Sequence, residues 1–145
     1  MKGGVPMLAN KIVVHDKEGH VLKGTTADFL PKRPLFHLSI GGMHGEEIKK
    51  IAINNLKAVF FVKDFEGDKN HQEVKGLDNL PAGKKIRAVF KDGEVVAGYT
   101  HVLNMEQPGF FLIPADPKSN NERIFIVFSS LSQLEANGFV INLTQ

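Results

Sequence analysis

The chain carries a diluted second copy of itself. Lys11-Ile12 returns 74 residues later as Lys85-Ile86, Lys17 as Lys91, Gly19 as Gly93, Val21 as Val95, Gly24 as Gly98, Thr26 as Thr100, Pro34 as Pro108, Phe36 as Phe110 and Leu38 as Leu112. Ten of the thirty positions from Lys11 to Ile40 are thus identical in one ungapped register. Whatever the first stretch folds into, the second must be able to fold into as well, so the chain is held to architectures that use one supersecondary unit twice. What recurs is turn glycines and core apolar positions, with no shared catalytic set.

Each copy opens as strand, tight turn, strand. Lys11-Ile12-Val13-Val14-His15 runs into Asp16-Lys17-Glu18-Gly19 and leaves through His20 to Thr26; the second copy runs Lys85 to Phe90, Lys91-Asp92-Gly93, then Glu94 to Thr100. Asp-Gly between β-branched runs favours a hairpin because glycine accepts the positive φ the turn needs. Gly24 and Gly98 fall inside the second strands, where a missing side chain marks a bulge, a bend or a close backbone approach; a bend between two faces of a small barrel is expected. Third strands follow at Leu35 to Ile40 and Phe110 to Ile113, and fourth strands at Ile51 to Ile53 and Ile124 to Phe128. Tight helical turns are predicted at Asn54-Asn55-Leu56 and Ser129-Ser130-Leu131, one residue out of the earlier register. Lys57 to Val62 and Gln133 to Glu135 supply the fifth strands, with Gly138 to Leu143 as a terminal addition.

No segment shows a helical stripe longer than two turns, so the predicted fold class is all-β: a tandem duplication of a small SH3-like or Sm-like five-stranded barrel, packed about a pseudo-twofold axis. The expected organisation is a first barrel over 8–66, a polar linker over 67–83 and a second barrel over 84–145. A barrel of roughly 60 residues is marginal alone, so a shared apolar interface is favoured, with Phe60, Phe61, Phe125 and Phe128 as candidates to fill it.

Composition removes several function classes. The absence of cysteine excludes disulfides, thiolate metal sites and cysteine nucleophiles. The 18 basic and 16 acidic residues nearly balance, giving no general pull toward nucleic acid or anionic lipid. Arginine occurs only at 33, 87 and 123, which is sparse for a phosphate-reading surface. Met1 to Pro6 has no apolar run behind its lysine, and no apolar stretch approaches the roughly 20 residues of a spanning helix; a cytoplasmic protein with no membrane partner is expected.

The stretches Leu56-Lys57-Ala58-Val59-Phe60-Phe61-Val62-Lys63-Asp64-Phe65-Glu66-Gly67-Asp68 and Gly109 to Phe125 resemble a bacterial family of uncharacterised small β-domains, some found beside PilZ-type signalling domains. That resemblance implies a bacterial, cytoplasmic, non-catalytic domain of regulatory character. Lys91-Asp92-Gly93-Glu94-Val95-Val96-Ala97-Gly98 is similar, more loosely, to the first signature of Sm and Hfq proteins. Where their RNA-binding arginine turn would stand, this chain has Ile53-Asn54-Asn55 and Phe128-Ser129-Ser130. The paired arginines of the PilZ dinucleotide signature are absent as well.

Several clusters invite chemistry and lack a part. His15, Asp16 and His20 are the right ligand types for zinc, but strand alternation sends neighbours to opposite faces. Asp64, Glu66 and Asp68 resemble the start of a calcium loop, with Gly67 fourth rather than sixth. Gly41-Gly42-Met43-His44-Gly45 has no Lys-Ser/Thr behind it to hold a phosphate. Ser129, Ser130 and the histidines have no base-and-orienter context. The chain therefore reads as a non-enzyme needing no cofactor. The expected binding surface is the loop Pro114 to Arg123 with its neighbours, namely Phe110, Phe111, Asp116, Asn120, Asn121 and Arg123, facing a protein partner. Asx residues in such a loop also cap their own turns. The alternatives are single-stranded RNA or DNA, with Phe36, Phe110, Phe111 or Tyr99 stacking on bases beside Lys11, Lys84, Lys85 and Lys91, and a metal-dependent enzyme.

Overall fold

The computed structural model describes residues 9–42, 45–78 and 80–143. They form β1 (Asn10–Asp16), β2 (Val21–Thr26), β3 (Leu35–Gly42), β4 (Gly45–Ala52), β5 (Leu56–Val62), β6 (Lys84–Phe90), β7 (Val95–Thr100), β8 (Gly109–Pro114), β9 (Asn121–Val127), β10 (Leu131–Ala136) and β11 (Phe139–Val140). A 3-10 turn at Ile53–Asn55 precedes β5, and another at Phe128–Ser130 precedes β10. The all-β expectation holds, and both helical turns lie where the sequence puts them, to within a residue.

The strands make one open antiparallel sheet in the order β11-β10-β6-β7-β8-β9-β5-β1-β2-β3-β4. Within it the same pattern occurs twice: β5-β1-β2-β3-β4 and β10-β6-β7-β8-β9, each a meander whose first strand is flanked by its fifth. Backbone contacts repeat too. The Lys17 N–H donates to the Asn55 carbonyl at 3.1 Å and the Lys91 N–H to that of Ser130 at 2.9 Å; Ile53 N–H meets Pro34 O, and Phe128 N–H meets Pro108 O, each at 2.9 Å.

Two expectations need correction. The halves are not two separately closed barrels, because β9 pairs with β5 from Ala58↔Ile126 to Val62↔Asn121 and runs both meanders into one sheet. Nor are they related by a twofold axis. A twofold would match the β9–β5 contact with one between β4 and β10, yet those strands lie toward opposite ends of the sheet. The join is head to tail, the fourth strand of one unit against the fifth of the other.

The sheet curls where pairing is thinnest. Only Thr25↔Ser39 joins β2 to β3, and only Gly98↔Pro114 and Tyr99↔Ile113 join β7 to β8. Gly24 and Gly98 sit at those crossings, and a Cβ there would stand 2.3 Å from Ser39 O and 2.0 Å from Ile113 O. Glycine is required by close approach of the third strand.

Curling produces two cores that share their central strands. One gathers Ala58, Phe60 and Val62 of β5, Ile124 and Ile126 of β9, and Ile86, Ala88, Phe90, Phe110, Leu112 and Leu134. The other gathers Val59 and Phe61 of β5, Phe125 and Val127 of β9, and Ile12, Val14, Phe36, Leu38 and Ile53. Strand alternation sends neighbouring residues of β5 and β9 to opposite cores, so both strands are buried on two faces. Phe60, Phe61, Phe125 and Phe128 all pack at this seam, divided between the cores.

Candidate functional site

Arg123 stands on β9 directly opposite Phe61 of β5, at a position where the strand leaves its apolar register. Its guanidinium carbon lies 4.2 Å from the Phe61 ring centroid and 4.5 Å from that of Phe111. Those rings belong to a wider cluster in which Phe29 meets Phe36, Phe61, Phe111 and Phe125 edge to face at 5.0–5.8 Å. The quadrupole of each ring attracts the cation. Among the described residues no carboxylate forms an ion pair with Arg123. Burial pulls its pKa below the ordinary value, Glu122 opposing, and the group stays charged at any physiological pH. It opens on a cleft of about 370 Å³ whose walls include Pro31, Thr100, His101, Val102 and Gln107.

The predicted loop divides into parts with different work. Phe110 is 3% exposed and stacks on Phe128 at 5.4 Å, inside the core. Phe111 lies half-buried beneath Arg123. Asp116 is buried: its Oδ2 accepts from Val74 N–H at 3.0 Å and meets His71 Nε2 at 2.6 Å, while Oδ1 accepts from Lys118 N–H at 2.9 Å. The Val74 and Lys118 N–H groups, with His71 adding, hold its carboxyl below the ordinary carboxylate range. Asn120 clasps the backbone of Asp64, accepting from its N–H at 3.1 Å and donating to its carbonyl at 2.7 Å. Asn121 begins β9 opposite Val62. Asp116 and Asn120 therefore tie down the strandless stretch from Lys63 to Val74, a long-range role that the sequence does not signal.

Among the described residues, metal-ligating side chains converge at two places. Asp16, Glu18 and His20 bring ligand atoms within 4.8 Å of one another, as do His71, Glu73 and Asp116. The predicted partner His15 is not in the first group; its ring lies against Phe60 at 4.7 Å. Asp16 is already engaged by the N–H groups of Glu18 and His20 and by His20 Nδ1. Asp64 and Asp68 cap their own turns through the N–H groups of Glu66 and Asn70. Of the glycine-rich tip Gly41 to Gly45, residues 43–44 lie outside the described residues, and Gly42 pairs with Gly45 across the β3–β4 hairpin. Phe36 is fully buried, so neither it nor Phe110 can offer a face to a base.

A second cleft opens at the other end of the seam. Its edge is set by Lys57, the side chain of which is only 12% exposed. Its Nζ bonds Asp92 Oδ2 at 2.6 Å and Glu94 Oε1, and lies 4.5 Å from the Phe90 centroid. Burial alone would depress this ammonium; the two carboxylates more than reverse that and hold its pKa above the ordinary value. A lysine of the first half is thus clamped by the hairpin of the second.

A family model matches residues 8–138 and carries the description family of unknown function (DUF6982). The chain belongs to that family. No curated protein and no solved structure matches it. The family match agrees with the expectation of an uncharacterised small domain, and its span takes in both meanders, the seam and both clefts. No helix among the described residues is long and apolar enough to cross a membrane.

Proposed function

We propose that this chain is a non-enzymatic interaction module, built by duplication of one SH3-like unit, that takes an acidic segment of a protein partner in the Arg123 cleft. The observation that carries this reading is a guanidinium spread on Phe61 and Phe111 with no carboxylate paired to it among the described residues. A partner carboxylate would meet the planar N–H fork, which suits bidentate recognition. Adjacent apolar side chains of the partner would fill the space beside Pro31 and Val102, the latter 68% exposed. The frame is suited to the task because Arg123 sits on a strand hydrogen-bonded on both sides, to β8 and β5. A bacterial regulatory setting in the cytoplasm accords with the resemblance drawn from the sequence.

The test is selection of peptides from a random library on the full chain. Enrichment of Asp or Glu flanked by apolar residues is expected, with Arg123→Ala weakening the selected peptides by roughly tenfold, as for loss of a charged hydrogen bond. Arg123→Lys should not restore binding, since an ammonium lacks the planar fork. Selection of peptides without acidic residues, or binding indifferent to Arg123→Ala in a variant with unchanged circular dichroism, refutes the proposal.

A further inference from the structure

The cleft beyond Lys57 lies between the β1–β2 turn and the β6–β7 turn, with the second 3-10 turn at its back; it measures about 500 Å³, and Lys17, Lys91 and Ser129 line it. Both lysines are fixed at their backbones, Lys17 by the carbonyl of Asn55 and Lys91 by that of Ser130. They occupy the same place in their respective units, and the head-to-tail join brings the two copies to one opening. The Lys17 ammonium donates to the Ser129 hydroxyl, a neutral partner. Burial, and then the neighbouring Lys91, draws its pKa below the ordinary value.

The carboxylates nearby are largely spoken for. Asp16 takes His20 and two backbone N–H groups, and Asp92 takes Lys57 and the Glu94 N–H. Glu94 is also on Lys57. Asp16 and Asp92 keep their charge but are turned to those donors, and among the described residues the exposed Glu18 is the lining carboxylate with no hydrogen bond drawn to its side chain. Two like charges in one recess repel each other, and a dianion between them would remove the repulsion and gain two charge-assisted hydrogen bonds. Ser129, accepting from Lys17, keeps its own O–H to donate. Ser130 cannot serve, because its hydroxyl is committed to the carbonyls of Lys57 and Val127.

We propose that Lys17, Lys91 and Ser129 form a binding site for the phosphate group of a small phosphorylated molecule. The site is separate from the Arg123 cleft, and its ligand is independent of any protein partner there. A recess of about 500 Å³ is of the size that takes a small molecule.

The experiment is titration of the 15N-labelled full chain with inorganic pyrophosphate at constant ionic strength, following amide shifts. Saturable shifts confined to residues 16–19, 91–93 and 128–130 are expected. Lys17→Ala and Lys91→Glu, both at exposed side chains, should each weaken binding by roughly tenfold, and Ser129→Ala by less. Lys84→Ala, outside the cleft, should leave the affinity unchanged. Shifts that do not saturate, or that persist in the Lys17→Ala/Lys91→Glu double variant, overturn the proposal. So does a single-stranded oligonucleotide that binds at these residues and is not displaced by pyrophosphate.

Discussion

Gly98→Ala tests the claim that the sheet curls because β7 and β8 touch where no Cβ intervenes. The added methyl would stand 2.0 Å from Ile113 O, 2.8 Å from Ile113 C and 3.1 Å from Pro114 Cα. All three are backbone atoms, and real Cβ contacts stay above 3.0 Å, so β8 would have to retreat by about 1 Å. That movement strains both pairs joining β7 to β8, Gly98↔Pro114 and Tyr99↔Ile113. Overpacking a rigid site costs roughly 1–3 kcal/mol and occasionally more; with no side chain free to yield, about 3 kcal/mol is expected. For a chain of this size that is about 10 °C in Tm. Gly93→Ala supplies the contrast: its surroundings are empty, but its φ is +96°, so it should lose only about 1 kcal/mol. Urea unfolding followed by circular dichroism measures both. A Gly98→Ala chain no less stable than Gly93→Ala would refute the close-approach argument.

Two further outcomes are expected. Lys57→Met keeps the packing on Phe90 and removes the charge; since Asp92 and Glu94 are about half exposed, the loss at neutral pH should be roughly 1 kcal/mol. Lys57 holds Asp92 below its ordinary pKa, so this contribution is full above the unfolded carboxylate value of about 4 and fades as pH falls through the lower folded one. A difference between wild type and variant that persists undiminished in acid would contradict it. Asp116→Asn should speed proteolytic cutting within 67–83 several-fold, read by mass spectrometry, while leaving the unfolding midpoint of the sheet nearly unchanged. Unaltered cutting would show that Asp116 does not hold that segment.

The local parts of this fold are legible from residues alone. Gly19 and Gly93 both stand at φ +96° in their turns, as the hairpin signals require, and Ala58-Val59-Phe60-Phe61-Val62 is apolar without alternation because both its faces are buried. What escaped is the choice of neighbour. Nothing in β9 says that its free edge will meet β5, since main-chain hydrogen bonding carries no address and apolar faces fit many partners. β4 reaches back to Gly45 through Glu46, Glu47, Lys49 and Lys50, polar residues that hide a strand because its edge is solvated. At the clefts, Arg123 was visible as a sparse residue type in an odd loop, but its rings come from β5 and β8. Lys17 and Lys91 were visible as a matched pair, and only the head-to-tail join makes them neighbours.

That join is open-ended. Repeating it would set a third unit's fourth strand against β10 or its fifth strand against β4, and growth would have no geometric reason to stop. The two margins carry features that disfavour such pairing: mixed charge along β4, and at the far side the short strand β11 paired to the edge of β10. The two margins of a sheet built on one strand pattern used twice are therefore unlike each other: β4 ends the first pattern, and β11, which has no counterpart in the first half, lies beyond the second.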